Sequence, residues 1–519
     1  MIRMERIIPR PTSVQPKSGV FTITPDTVVS IDDRAYAAAK LFVEMLASAL
    51  GRTLRIFQTA PQTNCIALKI DSSLSQLGQE GYRAVITPKR IELMAQTPGG
   101  LVWGVQTIRQ LLPTQIFSPT PVSEISWEIP TGTIEDHPRF GWCGMMLDCA
   151  RHFMPIEFIY KWIDLLAIHK MNIFHWHLTD DQGWRIEIRK YPKLTEIGAW
   201  RKETLIGHAL SKEPHTYDGV RHGGYYTQDQ IRSVVKYAAA RNITVVPEIE
   251  LPGHSQAAIA AYPYLGNTGQ QIDVWNSWGI NPNILNVEES TVLFYQDVLS
   301  EVMELFPSPF IHIGGDEAIK DQWKASDRAQ ARMVELGLKD EHELQSWFIR
   351  RMDEFLTRHG RKLVGWDEIL EGGLASGAMV MSWRGEEGGI AAANSGHDVV
   401  MTPSKWVYFD HYQSEDTDKE PLAIGGFTPI EKVNQYEPVP ATLDEKAAGH
   451  VRGAQGQLWT EYVPNPSHAE YMAYPRACAL AEVVWSARQP REFSEFLPRL
   501  KLHLERLKLL GVNYRPISF

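Results

Sequence analysis

An alternation of strand-like and helix-like segments between residues 137 and 510 constrains this chain more than any other feature. Short runs rich in β-branched and aromatic residues recur eight times: Trp142 to Leu147, Asn172 to Leu178, Ile243 to Ile249, Phe310 to Ile313, Lys362 to Trp366, Ala378 to Trp383, Asp398 to Met401 and Gly453 to Trp459. Such runs read as buried strands. Between them lie helical patterns, among them Ile156 to His169 and Gln228 to Arg241. Alternating β and α over this length predicts a parallel sheet, and eight units predict a closed (β/α)8 TIM barrel, an α/β fold. An open doubly wound sheet is the alternative, but no glycine-rich dinucleotide fingerprint follows any of the strands.

A chain of 519 residues has room for such a barrel and a smaller module besides. Residues 1–136 supply the module. Strands are expected at Val20 to Thr24, Val28 to Ile31, Leu54 to Phe57 and Cys65 to Ile70, with a hairpin of Gly81 to Thr87 and Arg90 to Ala95 turning at Pro88 and Lys89. Helices are expected over Arg34 to Gly51 and Leu101 to Leu112. This is an accessory α+β domain, with no cluster of polar residues at catalytic spacing. Pro113 to Pro130 reads as a connection, exposed around Phe117 to Ser123. The catalytic barrel is expected to occupy residues 137–519.

Composition narrows the partners. With 44% hydrophobic and 22% charged residues the chain is globular. A formal charge of −10 leaves no basic excess to neutralise phosphates, so nucleic acid is not an expected partner. No apolar run is long enough to span a bilayer, so neither is a membrane. The stretch Met1 to Pro11 lacks the apolar core of a secretory signal. The chain as it stands is expected in the cytoplasm; a trimmed leader would place it in the periplasm or outside the cell. Cys65, Cys143, Cys149 and Cys478 show no metal-ligand spacing and, in a chain this long, read as buried thiols. Sixteen tryptophans are many. Indole faces stack on sugar rings but also fill cores, so the count suggests without deciding.

The segments that end the eight runs carry the chemistry. They read Asp148-Cys-Ala-Arg151-His, His175-Trp-His177-Leu-Thr-Asp180-Asp181-Gln-Gly-Trp184, Glu248-Ile-Glu250-Leu-Pro-Gly-His254, Gly314-Gly-Asp316-Glu317, Trp366-Asp367-Glu368, Trp383-Arg384, Tyr408-Phe-Asp410 and Trp459-Thr-Glu461. Any one of these has a plain structural reading. Asp316-Glu317 could cap a following helix, His254 could be a turn residue, and Arg151 could pair with Asp148. Eight polar or aromatic clusters at one rim of a barrel, the rim where such barrels do chemistry, are better read as an active site.

Together these motifs resemble glycoside hydrolase family 20, the β-N-acetylhexosaminidases, over residues 1 to about 510. The resemblance implies exo-acting hydrolysis of terminal non-reducing N-acetylhexosamine, GlcNAc or GalNAc, by a substrate-assisted retaining mechanism. It implies no cofactor, no metal and a carbohydrate partner. In that family the substrate's acetamido oxygen attacks the anomeric carbon and forms an oxazolinium ion. Glu317 is then the general acid and later the base. Asp316 holds the acetamido N–H, and Tyr408 donates to its oxygen. Asp181 and His254 form a relay behind the acid. Trp366, Trp383 and Trp459 wall the sugar, while Arg151, Asp410 and Glu461 bind its hydroxyls. A neighbouring carboxylate is expected to raise the pKa of Glu317. Glu250 stands where many members carry Asp, so its contact with His254 is expected to differ by a methylene.

Two other classes fit parts of the pattern. His175 and His177 share one face of a strand, as in metal-dependent amidohydrolases, where Asp316 or His254 would complete the ligand set. A non-catalytic sugar-binding protein would keep the pocket but not the acid, and Glu317 is present. The long segments 267–282, with Trp275 and Trp278, and 414–443 are expected to shape the pocket rim, where the choice of substrate is made.

Overall fold

The computed structural model describes residues 4–59, 61–488 and 491–517, so Met1 to Arg3 of the N-terminal stretch lie outside the described residues. Seven strands precede the barrel: β1 (Ser13–Thr22), β2 (Val28–Ile31), β3 (Arg55–Phe57), β4 (Cys65–Ile70), β5 (Tyr82–Ile86), β6 (Arg90–Ala95) and β7 (Glu128–Asp136). They form one mixed sheet in the order β1-β7-β5-β6-β4-β2-β3. β5 and β6 bury every second residue, among them Tyr82, Ala84, Ile91 and Leu93, as a half-covered sheet requires. The covering comes from α1 (Tyr36–Leu50) and α2 (Pro98–Leu111), which pack on each other and on the sheet. Thr97 caps α2 by accepting from Gly100 N, and Gly51 ends α1 in the left-handed conformation.

The connection after α2 corrects the linker reading. Ile116, Phe117 and Trp127 are buried, and the Arg109 guanidinium lies 4.2 Å from the Phe117 ring centre. Beyond them Glu128–Asp136 is a strand paired with both β1 and β5. Proline and serine density in 118–123 concealed the apolar anchors at either end.

The eight runs become eight parallel strands of a closed barrel. These are β8 (Trp142–Asp148), β9 (Ile173–His177), β10 (Thr244–Glu248), β11 (Phe310–His312), β12 (Lys362–Trp366), β13 (Met379–Ser382), β14 (Val399–Met401) and β15 (Val451–Gly456). Outer helices include α3 (Ile156–Ile168), α4 (Gln228–Ala239), α5 (Glu289–Leu305), α6 (Glu341–Arg358), α7 (Glu387–Asn394), α8 (Arg476–Trp485) and α9 (Phe493–Leu509). A full capping box, Thr227 with Gln230, starts α4. The alternation fails once: only the 3-10 turn Asp367–Leu370 stands between β12 and β13. The barrel interior is packed with Met146, Val246, Val364, Met379, Met381 and Val400.

One buried cluster ties module to barrel. Asp136, the last residue of β7, accepts from Tyr82 Oη at 2.8 Å, Lys170 Nζ at 2.6 Å and Trp485 Nε1 at 3.0 Å. No described helix is long and apolar enough to cross a membrane. The four cysteines are buried and form no disulfide.

Candidate active site

The site begins where β11 stops. Gly314 and Gly315 take φ of 67° and 93°, a region that costs any other residue. At Gly314 space adds a second demand, since a Cβ there would lie 1.6 Å from Glu250 Oε2. The turn they make places Asp316 and Glu317 beyond the strand's carboxyl end. Six described residues other than glycine have positive φ: Asn64, Glu124, Lys170, Asn242, His254 and Glu317. The last two touch each other, His254 Nε2 lying 3.3 Å from Glu317 Oε2. Strained backbone on both sides of one polar contact is characteristic of a functional centre.

His254 follows β10 and is nearly fully buried. Its Nε2 also lies 3.6 Å from Asp316 Oδ2. Its other nitrogen, Nδ1, faces Asp180 Oδ1 at 3.2 Å and Asp181 Oδ2 at 3.3 Å. The contact with His254 expected of Asp181 alone is therefore shared with Asp180. Burial opposes a charge on His254, but Asp180, Asp316 and the hydrogen bonds to both aspartates outweigh it and hold its pKa well above the usual histidine range. Glu250, expected beside His254, instead reaches His177 Nε2 at 3.2 Å. The longer side chain leads into the barrel.

The two carboxylates divide in the direction opposite to the one expected. Burial lifts Asp316 well above the normal carboxyl range; His254 partly offsets this, and Glu368 and Glu317 add to it. Burial also raises Glu317, yet the hydrogen bond and charge of His254, with Arg151, outweigh it and leave Glu317 lowered. Adjacency did push one carboxyl up, but the imidazole stands closer to the other. The directions of the two shifts favour a proton on Asp316 over one on Glu317.

Around this centre lies a cavity of about 480 Å³. Trp366, 1% exposed, and Trp459, 9% exposed, meet at its floor with ring centres 5.7 Å apart. Trp383 and Tyr408 stack at 6.3 Å and 23° to form another wall. Two indole N–H groups are pinned by acids that stand in the strand-end segments but were given no role from sequence: Trp366 Nε1 donates to Glu248 Oε1 at 2.8 Å, and Trp383 Nε1 to Glu368 Oε2 at 2.9 Å. Their place at strand ends was the available signal.

Arg151 crosses the floor. It pairs with Asp148 at 3.2 Å and Asp180 at 2.9 Å, and its Nη2 lies 3.8 Å from Glu461 Oε1. The plain ion pair and the pocket position coexist, because the guanidinium serves both. Its Cζ also sits 4.8 Å from the Trp459 ring centre. Asp316 Oδ1 and Asp410 Oδ1 are buried with no protein partner among the described residues, so donors on a ligand would complete both. The cavity thus brings together Arg151, His254, Asp316, Glu317, Trp366, Trp383, Tyr408, Asp410, Trp459 and Glu461. Asp181 stands behind them through His254.

His175 and His177 lie beneath this floor, fully buried. His175 Nε2 is 3.0 Å from Glu248 Oε2, and His177 Nδ1 is 2.9 Å from Asp148 Oδ1. Groups near enough to share an ion with them are Glu248 and His312 for His175, and Glu248 and Glu250 for His177. Asp316 and His254 belong to neither set, so the ligand constellation of the amidohydrolase reading is not assembled. Of the two rim segments, 267–282 contributes Trp278 and Ile280, and 414–443 contributes Ile424 to Gly426. Trp275 does not line the cavity. The loop at His208 to Leu210, which also lines it, was not read from sequence.

Comparison with known proteins matches residues 140–488 to the model of glycosyl hydrolase family 20, catalytic domain, and residues 4–137 to that of glycosyl hydrolase family 20, domain 2. A Porphyromonas gingivalis protein named beta-hexosaminidase is 43% identical over 98% of this chain, which spans 64% of that protein's length. A beta-hexosaminidase of Vibrio furnissii is 36% identical over 92% of the chain and 76% of its own. Among solved structures, the exo beta-N-acetylglucosaminidase of Vibrio harveyi in complex with N-acetylglucosamine superposes with a TM-score of 0.85. It is 34% identical, over 99% of this chain and 79% of that one.

Proposed function

The chain belongs to glycosyl hydrolase family 20, and from that premise we propose that it hydrolyses terminal, non-reducing β-linked N-acetylhexosamine, GlcNAc or GalNAc, by a substrate-assisted retaining mechanism. The observation that carries this reading is the placement of His254 Nε2 between Glu317 at 3.3 Å and Asp316 at 3.6 Å, at the edge of a tryptophan-walled cavity. Its closed floor suits a chain end, and the Vibrio harveyi relative is described as exo-acting and bound to N-acetylglucosamine.

In the first step the acetamido oxygen attacks the anomeric carbon while Glu317 gives its proton to the glycosidic oxygen and the bond to the aglycone breaks. The product is an oxazolinium ion and a free alcohol. Asp316 accepts from the acetamido N–H and balances the positive charge as it develops; Tyr408 donates to the acetamido oxygen. In the second step Glu317, now a carboxylate, takes a proton from water, which attacks the anomeric carbon on the vacated face and reopens the ring. Configuration is retained. Binding sets up the acid: an acetamido N–H placed on Asp316 favours its ionised form, and the displaced proton reaches Glu317 by way of His254. Arg151, Asp410 and Glu461 hold sugar hydroxyls with charged partners, the stronger class of hydrogen bond.

A chromogenic N-acetyl-β-glucosaminide tests this directly. Wild-type protein releases the chromophore; Glu317→Gln loses roughly 10²- to 10⁴-fold in kcat while still binding N-acetylglucosamine. A variant that retains the wild-type rate removes Glu317 from the role of acid.

A further inference from the structure

Behind Tyr408 and Asp410 stands a buried cation that the reaction above does not use. Arg476, the first residue of α8, is fully buried and does not line the cavity. A guanidinium has five N–H groups, and all five here donate to backbone carbonyls. Nε donates to Met472 O at 3.2 Å and Nη2 to the same oxygen at 2.6 Å. Nη2 also donates to Phe409 O at 2.5 Å, and Nη1 to His411 O at 3.1 Å and Thr428 O at 2.9 Å. The guanidinium thus grips the backbone on both sides of Asp410. Its Cζ lies 5.1 Å from the ring centre of Phe409, which is itself buried, while the neighbours Tyr408 and Asp410 line the cavity. Phe409 N donates to Gln457 O at 2.7 Å, so the segment is held from the barrel side as well. Burying a guanidinium is costly unless its surroundings offset the lost hydration. Burial brings Arg476 down to about 9, and Asp410 is the first charge that opposes the fall. The effect is mutual. Burial and Glu461 push Asp410 well above the carboxyl range, and Arg476 and Arg151 pull against them.

We propose that Arg476 is a positioning residue for the sugar: by fixing the carbonyls of Phe409 and His411 it keeps the Asp410 carboxylate aimed into the cavity, without touching the substrate itself. The inference rests on the glycosidase reading above, in which Asp410 binds a sugar hydroxyl, and adds what holds that acceptor in place. Asp410 Oδ1, buried with no protein partner among the described residues, is the acceptor that the clamp presents. A second service of the same guanidinium is purely structural. It joins His411 to Thr428, the two ends of the rim excursion 412–427, where Thr428 N donates to Tyr412 O at 3.0 Å. The two services differ in one respect. Support of the loop is lost with Arg476 whatever stands at position 410, whereas positioning is lost only if an acid stands there.

A double-mutant cycle tests this. The quantity measured is kcat/KM on a chromogenic N-acetyl-β-glucosaminide for wild-type protein, Arg476→Met, Asp410→Asn and the double variant, with Tm recorded for each. Arg476→Met alone is expected to lose about tenfold, chiefly as a raised KM, the effect of a displaced charged hydrogen bond. Added to Asp410→Asn, it is expected to lose less than about threefold more, because the group it positions has already lost its charge. Losses that multiply in the double variant overturn the proposal and leave Arg476 a support of the loop. So does an Arg476→Met protein with the wild-type kcat/KM. Where Arg476→Met does not fold, Arg476→Lys, which keeps the charge with three N–H groups in place of five, takes its place in the cycle and is judged by the same comparison. A wild-type protein that does not cleave the substrate overturns the glycosidase reading itself.

Discussion

At the residue scale the site turns on one imidazole that faces four carboxylates. His254 is held charged by Asp180 and Asp181 on one nitrogen and meets Asp316 and Glu317 with the other. The proposed reaction requires one proton on the Asp316–Glu317 pair. Burial raises Asp316, so the pair keeps that proton above the ordinary carboxyl range and loses it as pH rises through the raised value. Activity should therefore fall on the alkaline side, and kcat/KM measured against pH reports the pair's combined titration. In His254→Gln the charge that lowers Glu317 is gone. The pair then binds its proton more tightly, and the alkaline limb moves to higher pH while kcat falls about tenfold or more. A variant that loses rate with an unmoved limb would mean that His254 only supports the fold. The sequence put the acid pair, His254 and the tryptophans in one place because each follows a strand. It could not assign the proton, since that depends on which carboxylate lies nearer the imidazole, a distance set by the turn at Gly314.

At the scale of elements, the turn after β11 is the piece that admits least change. Gly314→Ala forces a Cβ against Glu250 at a left-handed φ of 67°, whereas Gly360→Ala meets a similar φ, 71°, with open space around it. Chemical unfolding should show Gly314→Ala destabilised by about 1–3 kcal/mol more than Gly360→Ala; equal losses would mean that the turn yields. The eight barrel strands were readable because buried parallel strands are continuous apolar runs. β7 was not, because its alternation follows a proline-rich stretch and its pairing partners, β1 and β5, lie far away in sequence. The missing helix after β12 escaped for the opposite reason: alternation elsewhere implied a helix that the short span from Asp367 to Ala378 has no room to form. The rim loops carry no periodicity, so their convergence is visible only in three dimensions.

At the scale of the whole molecule, stability is tied to buried histidines as well as to packing. Burial depresses His152, His169 and His175 to about 4. The unfolded chain protonates each near 6.5. These groups therefore contribute stability that is complete above about pH 6.5 and is lost as pH falls towards 4. Tm measured from pH 7 to pH 4 should drop steadily over that window; a flat curve would show that these histidines titrate normally in the fold. The claim that organises the molecule is that the barrel positions a substrate which supplies its own nucleophile. It is tested most directly by kcat/KM along a series of aryl β-glucosaminides whose N-acyl group is acetyl, fluoroacetyl, difluoroacetyl or trifluoroacetyl. Each fluorine weakens the carbonyl oxygen as a nucleophile. A steep, progressive fall across the series is the predicted result; rates independent of fluorine content would contradict attack by the acetamido group.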